Sequence, residues 1–260
     1  MQDAFSSMEV LLGRECVNKL AKAKIAVFGV GSVGSYVAET LARCGIGSLT
    51  LVDSGTVKEA YIGHQLNALH SNIGKSKVQM LKERIQDIDQ DILIHTYESF
   101  FNADTVPMFD LSSYDYVVDA IGDVQNKLLL IEKTKEVRTP ILSCMGVSGR
   151  MDPLKFEIAD ISRTRVCPVA KVIRTELRKK GLRRVKVLYS KELPISRPDM
   201  EENDKKAVLS DPGIIAYMPG AAGMLIVREV VKDLLAEGKE NKNPPLPLKR
   251  VASRQGVGRK

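Results

Sequence analysis

The stretch from Lys24 to Asp53, KIAVFGVGSVGSYVAETLARCGIGSLTLVD, decides the fold of this 260-residue chain. A short apolar run leads into the pattern Gly29-x-Gly31-x-x-Gly34, a helical pattern follows, and a second apolar run ends on Asp53. A glycine-rich turn between a strand and a helix lets the backbone approach a phosphate at the helix N-terminus. An acid about twenty residues further on can accept a hydrogen bond from a ribose hydroxyl. The stretch therefore predicts a nucleotide-binding fold, and by itself it fits NAD and ATP equally.

Apolar strands and helical patterns alternate along the first 150 residues. The predicted strands are 24–29, 48–52, 92–96, 115–119 and 140–144, and the predicted helices are 32–44, 75–88, 102–110 and 124–137. Pro107 lies inside the helix at 102–110, where its missing N–H disfavours helical structure. Near-continuous apolar strands that alternate with helices predict an α/β fold, with a Rossmann-like, doubly wound, mostly parallel sheet and helices on both faces.

The residues on either side of this core have patterns of their own. The N-terminal 24 residues predict an amphipathic helix without the layout of a signal peptide. After Gly149 the pattern predicts a C-terminal α+β extension, with strands at 152–162 and 183–190, helices at 169–180 and 219–235, and a loop at 193–212. We therefore expect a nucleotide-binding domain over 1–236, made of a core at 24–150 and an extension at 151–236, and a flexible basic tail at 237–260.

Composition limits the classes of protein that the chain can belong to. Hydrophobic residues make up 44% of the sequence, which is enough for a large core, and no apolar run is long enough to span a membrane. We therefore expect a cytoplasmic protein without a membrane partner. The cysteines contain no CxxC pair, so they suggest neither a zinc site nor a disulfide framework, and packing is their expected role. They are Cys16, Cys44, Cys144 and Cys167.

Positive charge is concentrated in two places. The formal net charge is +7, and the excess lies mainly in KVIRTELRKKGLRRVK, residues 171–186, and in the tail from Leu248. A basic cluster on one segment is the electrostatic signature of a protein that binds a polyanion such as tRNA. The alternative is that these lysines and arginines are solvated surface residues that favour solubility.

Two stretches beyond the glycine turn favour ATP over NAD. YIGHQLNALHSNIGKSKVQMLKERI, residues 61–85, places Lys77 at the start of a helix after the Gly74 turn, where a basic side chain can reach phosphates. A dehydrogenase needs a neutral nicotinamide pocket there. YDYVVDAIGDVQNKLLLI, residues 114–131, places an acid just beyond the fourth strand, where a carboxylate can hold Mg²⁺ against phosphates.

The motifs over residues 5–235 resemble those of the ThiF/MoeB/HesA superfamily of adenylating proteins, which is related to the ubiquitin-activating enzymes. Within it, the stretches after Met151 are similar to those of the tRNA threonylcarbamoyladenosine dehydratases. Besides the glycine-rich stretch, the resemblance is carried by HQLNALHSNIGKSKV, YDYVVDAIGDV, MDPLKFEIADISRTRVCPVAKVIRTELRKKG, VKVLYSKELPISRP and DPGIIAYMPGAAGMLIVREVVKDL. It implies a homodimeric enzyme that uses Mg-ATP to adenylate the carboxylate of threonylcarbamoyladenosine in tRNA, so that the side chain closes to a ring and AMP is released.

The resemblance also implies roles for the residues at matching positions. The implied cofactor-binding residues are Gly29, Gly31, Ser32 and Gly34 at the phosphates, Asp53 at the ribose, Gln65 on the phosphate side, Lys77 at the triphosphate charge, Asp119 at the end of the fourth strand and Ile121 just after it. The candidate catalytic residues are Lys77, at a matching position, and His64 and Asp123, which lie where the sequence departs from the family pattern. Asp123 is also the candidate Mg²⁺ ligand.

Three positions depart from the family pattern. The family sequence Asn-x-Asn-Arg-Gln corresponds here to YIGHQ, so His64 replaces an arginine that clamps phosphate and cannot form the same bidentate contact. The second family acid falls on Gly122, with Asp123 one residue later. Asp123 either substitutes at the metal or caps the following helix. Ser7 stands where relatives have an arginine that reaches the neighbouring subunit's ATP.

These departures leave two hypotheses from different classes. In the first, the chain is an adenylating enzyme whose site is rebuilt by Lys77, His64 and Asp123. In the second, it is a catalytically weakened homologue that binds nucleotide or tRNA without turnover. An NAD-dependent oxidoreductase is disfavoured, because nothing in the chain resembles a substrate domain with a catalytic histidine and arginine.

Overall fold

The computed structural model describes residues 4–195 and 213–236, so the tail at 237–260 and most of the predicted loop at 193–212 lie outside the described residues. The strands are β1 (Lys24–Phe28), β2 (Ser48–Val52), β3 (Leu93–Tyr97), β4 (Tyr116–Asp119), β5 (Ile141–Cys144), β6 (Phe156–Asp160) and β7 (Lys186–Ser190). The helices are α1 (Ser6–Leu12), α2 (Arg14–Leu20), α3 (Ser32–Arg43), α4 (Lys77–Ile88), α5 (Val124–Glu136), α6 (Pro168–Lys179) and α7 (Tyr217–Ala236).

The seven strands form one sheet in the order β3-β2-β1-β4-β5-β7-β6. All neighbouring strands are parallel except β6 and β7, which are antiparallel. From β1 the chain winds outward first through β2 and β3, and then in the other direction through β4 and β5. The predicted Rossmann-like, mostly parallel α/β fold is confirmed. The strand order reverses between β1 and β4, and in such sheets ligands bind outside the carboxyl ends of the strands at this point.

Successive residues of the central strands point into two separate cores. Ile25 and Val27 of β1 belong to a core with α3, α4 and α7, whereas Ala26 and Phe28 belong to a core with α5 and α6. Because side chains alternate across a strand, a strand that is buried on both faces has an unbroken apolar sequence. This is why β1 is apolar at every position after Lys24.

The C-terminal extension continues the sheet of the core. β7 pairs with β5 in parallel, and the residues of α7 pack against α3. The two helices approach closely at Gly223, where a Cβ atom would lie 2.7 Å from the Cβ atom of Tyr36. A larger residue at this position would push α7 away from α3.

Two predicted elements differ in the structure. The helix predicted over 102–110 is wrong, because only a 3₁₀ turn, Val106–Met108, forms there. The Asn102 side chain accepts hydrogen bonds from the backbone N–H groups of Asp104 and Thr105, which is the turn chemistry that competes with a helix. The predicted N-terminal helix is divided into α1 and α2 at Gly13, whose φ is +84°.

No helix within the described ranges is both long enough and apolar enough to cross a membrane.

Candidate functional site

A cavity of about 1110 Å³ lies at the carboxyl ends of β1, β2, β4 and β5. It occupies the point where the strand order reverses, which is where a doubly wound sheet binds ligands. Its volume lies just above the roughly 300–1,000 Å³ that is typical of a small-molecule pocket, so it has room for a nucleotide. Its walls include Gly29, Gly31, Ser32, Asp53, Gln65, Lys77, Ile121 and Asp123 from the predicted site residues.

Asp53 fixes the glycine turn to the end of β2. Its Oδ2 accepts a hydrogen bond from the backbone N–H of Val30 at 2.9 Å, and its Oδ1 accepts one from Gly55 at 2.7 Å. Gly29 has a φ of +85°, and a Cβ atom there would lie 2.6 Å from the backbone oxygen of Ala120. A carboxylate oxygen can accept a second hydrogen bond. Asp53 can therefore hold the turn and also accept a hydrogen bond from a ribose hydroxyl.

Gly34 does not line the cavity, although the sequence placed it with the phosphates. It lies in the first turn of α3, where a Cβ atom would stand 1.8 Å from the backbone oxygen of Gly29. The absence of a side chain lets the helix pack directly on the turn. Gly31 and Ser32, at the start of α3, line the cavity, so the helix N-terminus is presented to it.

The Lys77 ammonium is held at the cavity wall by two groups. Lys77 is the first residue of α4 and is 8% exposed. Its Nζ lies 3.9 Å from Asp53 Oδ1 and 4.7 Å from the centre of the Tyr61 ring, an arrangement that a cation and an aromatic face favour. Gly55 makes room for this contact, since a Cβ atom there would lie 3.1 Å from Lys77 Nζ. The sequence analysis missed the roles of Tyr61 and Gly55.

His64 is not part of the cavity wall, and its ring contacts that of Tyr61. The backbone N–H of His64 donates to the backbone oxygen of Tyr61 at 3.0 Å, and the two rings meet edge to face with centres 6.0 Å apart. The structure therefore brings Lys77 and Asp123 to the cavity but does not bring His64 there with them.

Gln65, the next residue, is buried and lines the cavity. Within the described part of the chain its Oε1 has no hydrogen-bond partner. A buried acceptor without a partner carries a free-energy cost, which a donor on a ligand would remove. This observation is consistent with the predicted cofactor-binding role of Gln65.

Asp119 lies beneath the loop that follows β4, in a buried ion pair. Its Oδ2 accepts hydrogen bonds from Lys127 Nζ at 2.9 Å and from the Ser143 hydroxyl, and its Oδ1 accepts one from Ile121 N–H at 3.0 Å. Asp119 and Lys127 are both almost completely buried. Asp119 therefore orients Ile121, which lines the cavity, but does not line it itself. The sequence signal for its partner is a single lysine beside the apolar run LLLI at 128–131.

Asp123 both lines the cavity and caps α5. Its Oδ1 accepts a hydrogen bond from the backbone N–H of Asn126 at 2.8 Å. The cap uses one carboxylate oxygen, so the two alternatives from the sequence are compatible. Gly122 has no positive φ, and a Cβ atom there would meet nothing within 4 Å, so the loop does not depend on glycine at that position. Among the described residues, no cluster of three or more metal-ligating side chains is present.

Cys144 lines the cavity, but its environment disfavours the reactive thiolate form. Cys144 is buried at the end of β5, and burial raises the pKa of its thiol to about 12. The thiolate, which is the reactive form, is therefore scarce at neutral pH. Cys167 is also buried. Both positions fit the packing role predicted for them.

The sheet and its cavity define a nucleotide-binding α/β protein, and comparison with known proteins identifies its family. The profile of the ThiF family matches residues 6–254, and the chain belongs to this family. It is 38% identical over 245 residues to the tRNA threonylcarbamoyladenosine dehydratase of Bacillus subtilis, an alignment that covers 91% of this chain and 96% of that protein. It is 33% identical to the Escherichia coli protein of the same name, over 67% of this chain and 65% of that protein.

A solved structure shows the same fold. The crystal structure of the E. coli tRNA N6-threonylcarbamoyladenosine dehydratase in complex with ATP matches with a TM-score of 0.81 and 28% sequence identity, covering 90% of this chain and 95% of that one. The complex of that enzyme with AMP matches equally well, with a TM-score of 0.81.

Proposed function

We propose that this chain is an ATP-dependent adenylating enzyme that activates the carboxylate of threonylcarbamoyladenosine in tRNA for cyclisation. The observation that carries the proposal is the convergence of the glycine turn, the Asp53 carboxylate and the buried Lys77 ammonium on one cavity. Relatives that match almost the whole chain bear the name of this activity, and one of them has been crystallised with ATP.

The reaction has two steps. In the first, a carboxylate oxygen of the substrate forms a bond to the α-phosphorus of ATP, while the bond from that phosphorus to the bridging oxygen breaks and pyrophosphate leaves with the electron pair. In the second, an atom of the same side chain attacks the activated carboxyl carbon and loses its proton. AMP leaves with the former carboxylate oxygen, so the side chain has lost the elements of water.

The chain contributes positioning and electrostatics to both steps. Lys77 offsets the charge that accumulates on the departing pyrophosphate, and the N-terminus of α3 adds further positive potential. Loop 120–123, held from below by Asp119, presents Ile121 and Asp123 to the nucleotide. Such prearranged groups lower the barrier because they need no reorganisation during the reaction.

Mg²⁺ fits this site through Asp123. Mg²⁺ in nucleotide sites is commonly held by one or two carboxylates together with substrate phosphates and water. Asp123 lines the cavity, and its cap on α5 uses only Oδ1. When bound, the ion would neutralise phosphate charge. We propose Asp123 as its protein ligand.

Part of the basic segment at 171–186 is suited to contact tRNA. Some of its charges are used within the subunit: Lys179 pairs with Glu176, Lys180 with Glu132, and Lys186 with Glu229 and Asp233. Others are exposed and form no ion pair with a described residue: Lys171, Arg178, Arg183 and Arg184. We propose that these four contact tRNA phosphates, which gives affinity without base specificity. A tRNA substrate also favours a cytoplasmic location.

We propose in addition that the enzyme is a homodimer. The apolar helix α7 is largely buried within its own subunit against α3, but Met224 remains exposed. Val10 and Leu11 of α1 are 90% and 66% exposed. Exposed apolar side chains of this size favour association. Light scattering that shows a monomer at micromolar concentration would contradict this proposal.

Release of AMP from labelled Mg-ATP tests the proposed function. The wild-type protein should release AMP when tRNA bearing threonylcarbamoyladenosine is present and release little without it. Lys77→Ala should lower this rate by roughly 100-fold or more, since it removes a charge that stabilises the transition state. Lys75→Ala, which changes an exposed lysine two residues away, should leave the rate nearly unchanged.

The opposite result would favour the second hypothesis. If the wild type binds ATP but releases no AMP with the modified tRNA, the chain is a nucleotide-binding homologue without turnover. Equal losses in Lys77→Ala and Lys75→Ala would show that the effect does not arise at the cavity.

A further inference from the structure

Arg150 has a buried guanidinium group whose hydrogen bonds are incomplete. The residue is 4% exposed and lines the cavity. Its Nη1 donates to the backbone oxygen of Ser148 at 2.8 Å, and its Nε donates to the backbone oxygen of Glu192 at 3.3 Å. Its Nη2 is buried and has no hydrogen-bond partner among the described residues. A buried N–H group without a partner is costly and therefore uncommon.

Within the described part of the chain, the charge of Arg150 is also uncompensated. A guanidinium remains protonated in proteins, so burial cannot neutralise it. Within residues 4–195 and 213–236, no ion pair of Arg150 with a carboxylate is present. Glu192 provides one of the backbone oxygens that Arg150 contacts, but its carboxylate accepts hydrogen bonds from the backbone N–H groups of Met151 and Asp152 instead. The two groups that accept hydrogen bonds from Arg150 among the described residues are neutral carbonyls, so no described residue supplies an anion there.

Arg150 stands at the opposite end of the cavity from Lys77. Lys77 lies beside Asp53, which follows β2, whereas Arg150 follows β5. β1 and β4 lie between these strands in the sheet. At a spacing of about 4.8 Å per strand, β5 is roughly 10 Å from β1 and its glycine turn. Lys77 therefore lies at the phosphate end of the cavity. Arg150 lies at the other end, and the loop that contains Asp123 is between them.

We propose that Arg150 binds the carboxylate of the substrate and holds it towards the α-phosphate of ATP. This inference rests on the proposed function, because it names the receptor for the group that is activated there. A guanidinium suits a carboxylate, since its N–H groups match the two oxygens. Val147 and Val169 line the same end of the cavity, and apolar walls that exclude water strengthen the contact.

A phosphate of ATP is the other source of an anionic oxygen that could reach Arg150, and binding measurements distinguish the two. Arg150→Met removes the charge, Arg150→Lys keeps it without the planar fork, and Arg138→Met is the matched control at an exposed arginine. For each variant we would measure the Kd for Mg-ATP by calorimetry, the Kd for tRNA with and without the threonylcarbamoyl group, and the kinetic constants of AMP release.

The expected result is a loss confined to the substrate carboxylate. Arg150→Met should bind Mg-ATP and unmodified tRNA within about twofold of the wild type, and it should raise the KM for modified tRNA roughly 10- to 100-fold, the range for a lost charged hydrogen bond. Arg150→Lys should recover part of the loss, and Arg138→Met should resemble the wild type. A merely structural role would weaken all three ligands together.

A second measurement uses the wild-type protein and so does not depend on a variant that folds. Threonylcarbamoyladenosine nucleoside should inhibit AMP release, and its methyl ester, which lacks the carboxylate charge, should inhibit at least roughly 10-fold more weakly. Equal inhibition by the two compounds would overturn the assignment of Arg150, as would weaker Mg-ATP binding in Arg150→Met. A wild-type protein that releases no AMP would instead overturn the proposed function and, with it, the inference.

Discussion

Single glycines set how closely the backbone of the glycine turn packs. Gly29 and Gly34 meet atoms that a side chain would displace, and Gly55 leaves space for the Lys77 ammonium beside Asp53. Gly122 differs from these residues, because it has no positive φ and open space around it. All four residues are glycines, but a side chain would disturb the packing of the site at only three of them.

Replacement of Gly34 tests this difference. A Cβ atom at Gly34 would lie 1.8 Å from the backbone oxygen of Gly29, so α3 must move away from the turn. We expect Gly34→Ala to lower the free energy of unfolding by about 1–3 kcal/mol, as overpacking commonly does, and to weaken ATP binding. Gly122→Ala, the control, should change it by less than about 0.5 kcal/mol. Urea denaturation measures both, and equal effects would contradict the packing argument.

Pairs of elements are joined by ion pairs that are buried to different degrees. The Lys127–Asp119 pair connects α5 to β4 and is almost fully buried, so loss of either partner would leave an isolated charge, at a cost of about 3–5 kcal/mol. On the other face of the sheet, Glu39 of α3 accepts hydrogen bonds from Arg84 of α4 and from Arg43. These two arginines are partly exposed, so their contribution is smaller.

The Glu39 cluster predicts a loss of stability in acid. Burial by itself raises the pKa of Glu39, but the hydrogen bonds from Arg84 and Arg43 outweigh it, and the pKa lies below its ordinary value of 4.5. A lowered carboxyl pKa stabilises the folded state above about pH 4.5, and this stabilisation is lost as the pH falls through the folded-state pKa. We expect Glu39→Gln to cost about 1 kcal/mol at pH 7 and to reduce the dependence of unfolding free energy on pH between 5 and 3.

Thermal or urea unfolding across this pH range would measure the effect. Glu83→Gln, at an exposed position of α4, is the matched control and should retain the wild-type pH dependence. An identical pH dependence in Glu39→Gln and wild type would show that Glu39 does not contribute to acid sensitivity.

The two ends of the parallel strands have different surroundings in the whole molecule. The carboxyl ends of the strands carry the cavity, and the extension adds β7, β6 and α6 beside β5. The first residue of α6, Pro168, lines the cavity, and the helix runs from there towards the start of β7, so Lys171 lies nearer the cavity along α6 than Arg178 does. Lys22 and Lys24, in contrast, lie at the start of β1, at the opposite edge from the cavity.

The salt dependence of tRNA binding tests the role of this charged helix. Lys171 and Arg178 are seven residues apart on one face of α6 and are exposed. If both contact phosphates, the double change Lys171→Ala and Arg178→Ala should reduce the slope of log K against log salt by about 1.5, since each phosphate contact contributes roughly 0.7–0.9. The double change at Lys22 and Lys24 should leave the slope unchanged. Equal slopes in all three proteins would exclude α6 as the tRNA contact.

Local patterns predicted most of the elements and part of the site. β1 ends one residue before its predicted end, and α5 begins at its predicted residue, because apolar periodicity and turn residues act over a few neighbouring positions. The helix at 102–110 was wrong because the turn chemistry of Asn102 was not recognised. Eight of the eleven predicted site residues line the cavity; Gly34, His64 and Asp119 do not.

The sequence by itself determined the fold class and the glycine turn, since both depend on residues close together in the chain. Only the tertiary structure decided the partners of Asp119, the cation–aromatic contact of Lys77 and the incomplete hydrogen bonding of buried Arg150. Lys127 reaches Asp119 across eight residues, and Ser143 across 24. Such contacts depend on how strands and helices pack, and burial determines the cost of an unpaired charge. No local pattern in the chain contains this information.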